Sequence, residues 1–377
     1  MQIDLTSPYL IDSTLRDGEQ APGIAFTREE KLQLAHMLDE TGIDEIEAGT
    51  PAMGEEVRQT IQQMCESGLH ARICVWSRAL KEDIDAAAST GAAAIHIAFP
   101  VSDIQLQAMH KDGQWISATL PKVLAYAREK FQYVSLGAQD ASRSDPERLR
   151  QFIQLAAKFH VYRIRLADTT GILSPLSTQS LIQHVKSYCG NMLIDFHGHN
   201  DLGMATANTV TAWQSGAEHL SVTVNGIGER AGNAALEEVV TAITLITRER
   251  KYHTEKLYDL CRFVSGISGR PIPDGKPICG RMVVSHESGI HTQGTLFDVT
   301  AFQAFDGRLI GRQSTSLLFG KHSGRNLLIQ FLKGQDEKVN DTQLRQIMNE
   351  IHKIAQMTKR SVSPDEVARI CKRIVRS

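Results

Sequence analysis

The feature that most constrains the fold is a repeat of one unit, a short apolar strand followed by a helix with its own stop signal. Apolar runs suited to strands occur at Tyr9–Ser13, Glu45–Ala48, Arg72–Trp76, Ala94–Phe99, Tyr133–Gly137, Tyr162–Ala167, Leu193–His197 and His219–Val224. Helical periodicity fills the intervals at Thr27–Thr41, Glu55–Ser67, Lys81–Ser89, Ile116–Lys130, Pro146–Phe159, Pro175–Tyr188 and Thr206–Gln214, and Ala234–Thr247 follows the last strand. Thr27 with Glu30 three residues on predicts a capping box, and Gly42 and Gly68 stand where helices should stop. Eight alternating pairs within about 250 residues predict an α/β fold, a closed (β/α)8 TIM barrel rather than an open doubly wound sheet. Such a barrel makes a demand on the sequence: residues for chemistry should lie just after the strands, at their carboxyl ends.

They do. The seventh strand ends in Asp195-Phe196-His197-Gly198-His199-Asn200-Asp201. A strand's period of two aims His197 and His199 at one point, as in a metal site, although a His pair at a strand end can also be only solvated or hydrogen-bonded. After the first strand comes Arg16-Asp17-Gly18-Glu19-Gln20. In a closed eight-stranded barrel the first and seventh strands are two apart, so the Asp17 carboxylate can meet the two imidazoles. The competing reading of Asp17 is a turn cap beside Gly18. Two nitrogens and one carboxylate leave positions open for substrate and water, as a catalytic divalent ion needs, and suit Mg, Mn or Zn.

Composition excludes several classes. With 41 Lys+Arg against 43 Asp+Glu, the formal charge of −2 gives no general attraction to nucleic acid or to anionic membranes. No apolar run approaches the ~18 residues of a membrane span, so no membrane partner is expected. The six cysteines are scattered without a Cys-X-X-Cys pair and no signal peptide is evident, so reduced thiols and a cytoplasmic location are expected. Arg270–Pro277 is dense in proline and glycine and reads as a linker. The expected organisation is a catalytic barrel over residues 1–269, a linker and subdomain over 270–330, and a C-terminal helical part over 331–377.

Three long motifs carry a family resemblance: Leu15–Gly23, His197–Asn208 and Gly226–Ala234. Together they resemble the signatures of the DRE-TIM metallolyases, in the branch of the 2-isopropylmalate and homocitrate synthases. The nearest likeness within it is to the homocitrate synthases of nitrogen-fixing bacteria, through Pro51–Glu56, Ser102-Asp103 and Gly320–Gly324. The resemblance implies a metal-dependent Claisen-type condensation of acetyl-CoA with 2-oxoglutarate and thioester hydrolysis to homocitrate. Supply of the nitrogenase iron–molybdenum cofactor follows from it as well.

On that resemblance, Asp17, His197, His199 and Asn233 surround the metal, and Gly226, Gly228 and Arg230 belong to the acetyl-CoA neighbourhood. Asn233 as a helix N-cap, and the glycines as a means of tight turning, are the competing explanations. Arg16 is placed to stabilise the developing alkoxide, or else to pair with Glu47. Gln20 and Thr169 are candidate donors to the substrate carboxylate. His291, with His286 in reserve, resembles the general base that reaches the active site of the partner subunit, which implies a homodimer.

Two departures from the family pattern stand out. Gln139 replaces a Glu and cannot shuttle a proton, which leaves that task to His291 and water or to Asp140. Ser135 stands where related enzymes tend to carry an Arg for the distal carboxylate, so Arg78 or Arg143 is expected to hold it. Two other readings stay open: 2-isopropylmalate or citramalate synthesis, and a non-catalytic binding protein that retains the barrel.

Overall fold

The computed structural model describes residues 5–287, 294, 298–312, 316–333 and 339–376. The chain forms two compact units, residues 1–271 and 272–377. In the first, eight parallel strands close into a barrel in sequential order: β1 Tyr9–Asp12, β2 Glu45–Glu47, β3 Arg72–Arg78, β4 Ala94–Pro100, β5 Tyr133–Gln139, β6 Arg163–Asp168, β7 Leu193–Gly198 and β8 His219–Val222. Tyr9 pairs with His219, and this contact of β1 with β8 closes the ring.

The crossover helices are α1 Arg28–Glu40, α2 Glu55–Glu66, α3 Lys81–Ala88, α4 Asp103–Ala108, α5 Gly113–Arg128, α6 Pro146–Lys158, α7 Pro175–Lys186, α8 Ala205–Gln214 and α9 Leu236–Thr247. A further helix, α10 Leu257–Ser268, was not anticipated. The capping box on α1 is present: Thr27 Oγ1 accepts from Glu30 N at 3.2 Å, and Glu30 Oε2 accepts from Thr27 N at 2.7 Å. The outward faces of the strands and the inward faces of the helices make the apolar core, with Leu10, Ile46, Ile95, Leu136, Ile164, Ile194 and Leu220 all buried.

Inside the barrel the chain departs from the aliphatic layers usual in this architecture. Glu45 and Glu47 of β2, Arg163 and Arg165 of β6 and Asp195 of β7 are all buried and point inward. Arg163 Nη2 donates to Glu45 Oε1 at 2.7 Å, Arg165 Nη1 to Glu47 Oε1 at 2.8 Å, and Arg165 Nε to Asp195 Oδ2 at 2.6 Å. Near the amino-terminal end of the barrel the Arg72 guanidinium lies 3.7 Å from the centre of the Tyr133 ring and 3.4 Å from Glu45.

In the second unit, β9 Ser285–His286 pairs in parallel with β10 Ser316–Leu317. Helices α11 Arg325–Lys333, α12 Asp341–Thr358 and α13 Pro364–Val375 share one apolar core of Leu327, Leu328, Leu344, Ile347, Ile351, Val367 and Ile370. Helix α11 runs across the 330/331 position at which the sequence was expected to divide again, because its leucines belong to the core of α12 and α13.

Candidate active site

The loops at the carboxyl ends of the strands are tied to one another before any ligand is considered. Thr14 Oγ1 donates to Asp12 Oδ2 and accepts from Val224 N, each at 2.8 Å, which fastens the loop after β1 to the loop after β8. Asp17 N donates to Ser13 O at 2.8 Å, so the Asp17 carboxylate is held over the barrel mouth. From β7, His197 Nε2 lies 2.8 Å and His199 Nε2 3.7 Å from Asp17 Oδ2. The two rings stand nearly perpendicular, at 86° with centroids 5.1 Å apart. One ligand atom from each of the three buried residues lies within 4.8 Å of the others.

Electrostatics prepares this trio to hold a cation. Burial pushes the Asp17 carboxyl upward, but Arg16 and the two histidines outweigh it and hold the group well below the usual carboxylate range. Burial, then the neighbouring His197, takes His199 down to about 4 against the pull of Asp17, so its imidazole is neutral at neutral pH. Beside them, Asn233 pairs with His199 in a single antiparallel bridge and donates its Nδ2 to Ile227 O at 3.1 Å. Its Oδ1 is buried with no partner among the described residues. A carboxylate, two imidazoles and an unmet amide oxygen form a donor set that fits a divalent cation. Asn233 is not a helix cap, since α9 starts at Leu236 after Ala235.

Glycine determines whether this loop can close. Gly232 has φ of +87°, and a Cβ there would lie 1.9 Å from Gly226 O, while a Cβ on Gly228 would lie 2.2 Å from Asn233 Nδ2. These glycines let backbone pack around Asn233, and Arg230 beside them is held by Asp201 at 2.8 Å and by Thr169 O at 2.6 Å. Gly232→Ala is therefore expected to displace Asn233 and to weaken Mn2+ binding by about tenfold or more, in line with losses on disturbing the surroundings of metal ligands. Equilibrium dialysis against Mn2+ checks this, and unchanged affinity in a folded variant would refute it.

Arg16 makes the pair with Glu47 and also faces the cavity. Its Nη2 pairs with Glu47 Oε2 at 2.7 Å, its Nη1 lies 3.4 Å from Asp17 Oδ2, and it lines the cavity at the barrel mouth. That cavity, of about 260 Å³, is also lined by Asp17, Gln20, Gln139, Thr169, His197 and His199. Glu47 is fully buried beneath it, bound by Ser13, Arg16 and Arg165.

Three expected residues are elsewhere. Arg78, with its side chain 60% exposed, pairs with Asp83 at 2.8 Å and does not line the cavity. Arg143 is likewise outside, gripping Asp140 at 2.8 Å. Asp140 is itself engaged by Ser102 and Arg143 and lies off the cavity wall, so it is not positioned to replace the missing glutamate. His291 lies outside the described residues, and His286 Nε2 is 2.9 Å from Gln303 Nε2.

The sequence reading passed over Trp76, His96, Gly137 and Arg165, which all line the cavity. A signal was present in the charged alternations Glu45-Ile46-Glu47 and Arg163-Ile164-Arg165, since a strand of period two must aim both charges to one face.

Residues 7–264 match the family described as HMGL-like, and residues 278–359 match the homocitrate synthase post-HMGL domain-like family. The chain is 37% identical to the 2-isopropylmalate synthase 2 of Caldanaerobacter subterraneus, over 95% of this chain and 94% of that one. It is also 37% identical to the homocitrate synthase 1 of a Nostoc species, over 96% of both chains. Against the (R)-citramalate synthase of Methanocaldococcus jannaschii it is 38% identical, over 93% of this chain and 71% of the relative. Among solved structures, the HMG-CoA lyase of Bacillus subtilis shares the fold, with a TM-score of 0.65 at 18% identity, covering 72% of this chain and 98% of that one.

Proposed function

The chain belongs to the HMGL-like family, in its branch of 2-isopropylmalate, (R)-citramalate and homocitrate synthases, and from that premise we propose that it is a homocitrate synthase. The proposed reaction condenses acetyl-CoA with 2-oxoglutarate and hydrolyses the thioester to homocitrate and CoA. The observation that carries it is the meeting of Asp17, His197 and His199 beside the Arg16 guanidinium, at the mouth of a barrel whose sequence relatives named above are synthases.

A divalent ion held by Asp17, His197 and His199, with Asn233 beside it, would polarise the keto group of a 2-oxo acid. The protein's own groups have separate tasks. Arg16, oriented by Glu47, directs a permanent positive charge to the side of the site where negative charge develops on attack. Gln20 and Thr169 offer side-chain hydrogen bonds to the carboxylate next to the keto group. Gln139 can orient substrate or water and cannot carry a proton, so proton removal from the acetyl methyl group is assigned to His291 of a second copy of the chain. That assignment makes the working unit a homodimer, and it rests on the motif around His291. Provision of homocitrate for a nitrogenase cofactor is the physiological role the resemblance supports.

The test is CoA release from acetyl-CoA with 2-oxoglutarate, 2-oxoisovalerate and pyruvate, using metal-stripped protein with and without added Mg2+ or Mn2+. Metal-dependent release with 2-oxoglutarate and formation of homocitrate is the expected result. Release with 2-oxoisovalerate or pyruvate instead would assign the chain to a sister synthase, and no release with any acid would favour a non-catalytic barrel.

A further inference from the structure

The wall of the cavity holds a buried arginine with one nitrogen unpartnered among the described residues, and a buried histidine beside it. Arg165 is 2% exposed and lines the cavity. Its Nε and Nη1 are bound to Asp195 and Glu47, and its Nη2 is buried with no partner among the described residues. The register sets Arg165 opposite Gly137 of β5, which carries no side chain.

The second group is His96 of β4, 1% exposed and on the same cavity wall. Its Nδ1 is 2.9 Å from Ser135 Oγ, and a Cβ placed on Gly137 would come within 2.6 Å of its Nε2. Ser135 Oγ can donate to His96 Nδ1 at 2.9 Å or to Ile95 O at 3.3 Å, and in the first arrangement, which the proposal adopts, the imidazole proton is on Nε2. Burial and the neighbouring Arg165 keep His96 well below its ordinary pKa, so it offers a neutral N–H. Arg165 and His96 are thus neighbouring donors on the cavity wall, with the His96 ring packed into the room that Gly137 leaves.

The depth of this pair along the barrel matters. Ala167 pairs with His197, and Arg165 lies two residues below Ala167 on the same strand. Two residues of strand correspond to roughly 7 Å. A 2-oxo acid with its keto end at the His197 level would need a two-carbon spacer and a second acceptor group to reach Arg165. A branched aliphatic side chain would leave both donors buried and unmet, which is unfavourable.

We propose that Arg165 and His96 are specificity-determining residues that read the distal carboxylate of a five-carbon 2-oxo dicarboxylic acid. The proposal rests on the reading of the site as a 2-oxo acid site.

The experiment compares 2-oxoglutarate with 2-oxovalerate, which has the same five carbons and lacks the second carboxylate. Two readouts are used with the full-length protein and Mn2+: kcat/KM for CoA release, and equilibrium binding of each acid by calorimetry. Wild type should prefer 2-oxoglutarate by about 10³-fold or more, as expected where a site's polar groups need a ligand group to pair with. Arg165→Met and His96→Leu should each reduce that preference by about tenfold or more in both readouts, with KM for acetyl-CoA little changed. His96→Gln, which keeps an N–H donor, should restore part of it.

Arg165→Met also breaks buried ion pairs, so His96→Leu, which leaves them intact, carries the test if the arginine variant does not fold. A preference that survives His96→Leu with thermal stability unchanged would overturn the proposal while leaving the condensation reading intact. Binding that discriminates between the acids in wild type and not in the variants, without any CoA release, would uphold the proposal and overturn the proposed reaction.

Discussion

Asp17→Asn is expected to lower kcat/KM for condensation by about 10³-fold and to abolish tight Mn2+ binding, while leaving a folded barrel. The charge on Asp17 is what the site has been built to preserve: burial opposes it, and Arg16 with the two histidines restores it. An amide of the same shape keeps the contacts and removes the anion. A metal-polarised carbonyl is worth several kcal/mol in the transition state, and about 4 kcal/mol corresponds to the stated factor. The fold should survive because Arg16 retains Glu47 at 2.7 Å. The checks are steady-state kinetics together with equilibrium dialysis of Mn2+. A variant that binds the ion as wild type does would remove Asp17 from the ligand set, whatever its activity.

The largest expected effect on stability comes from the interior of the barrel. Arg163 is 1% exposed and bound to Glu45 at 2.7 Å, with Asp195 at 3.6 Å. Arg163→Met should destabilise the first unit by about 3–5 kcal/mol, because it removes the 2.7 Å partner of buried Glu45 and leaves that carboxylate only Arg72, at 3.4 Å. Removing both partners, in Glu45→Met with Arg163→Met, should recover much of the loss, since an apolar pair demands no compensation. Urea unfolding of the three variants measures this, and a double variant no better than the single one would contradict it.

The same network sets the acid limit. Burial pushes Glu47 and Asp195 upward, but Arg16 and Arg165 outweigh it for Glu47, and Arg165 and Arg163 for Asp195, so both titrate below their ordinary values. Their stabilising contribution is therefore fully present above the carboxylate range of an unfolded chain, about pH 4. It is lost as pH falls through the folded-state values.

Much of the site was legible before the fold was known. His197 and His199 are two apart on a strand, and that period needs no tertiary information to place them on one side. Asp17 could be matched to them because closure of an eight-stranded ring brings β1 within two strands of β7. The substrate contacts were less legible. Arg78 or Arg143 was expected to hold the distal carboxylate, but local carboxylates claim both, Asp83 for the first and Asp140 for the second. Pairings of that kind depend on where a helix or turn sets a neighbour, which a strand pattern does not encode.

The sequence by itself determined the alternation of strand and helix, the loops that carry chemistry and the inward direction of the paired histidines, because each follows from local periodicity and from the turn residues beside it. Tertiary structure alone decided which charges share the interior. Glu47 and Arg165 are 118 residues apart in the chain and 2.8 Å apart in the barrel. Closure of the ring buries them together, and once buried an arginine must find carboxylates or a ligand. Arg165 finds two carboxylates, and its third nitrogen is buried without a partner among the described residues on a side chain that lines the cavity.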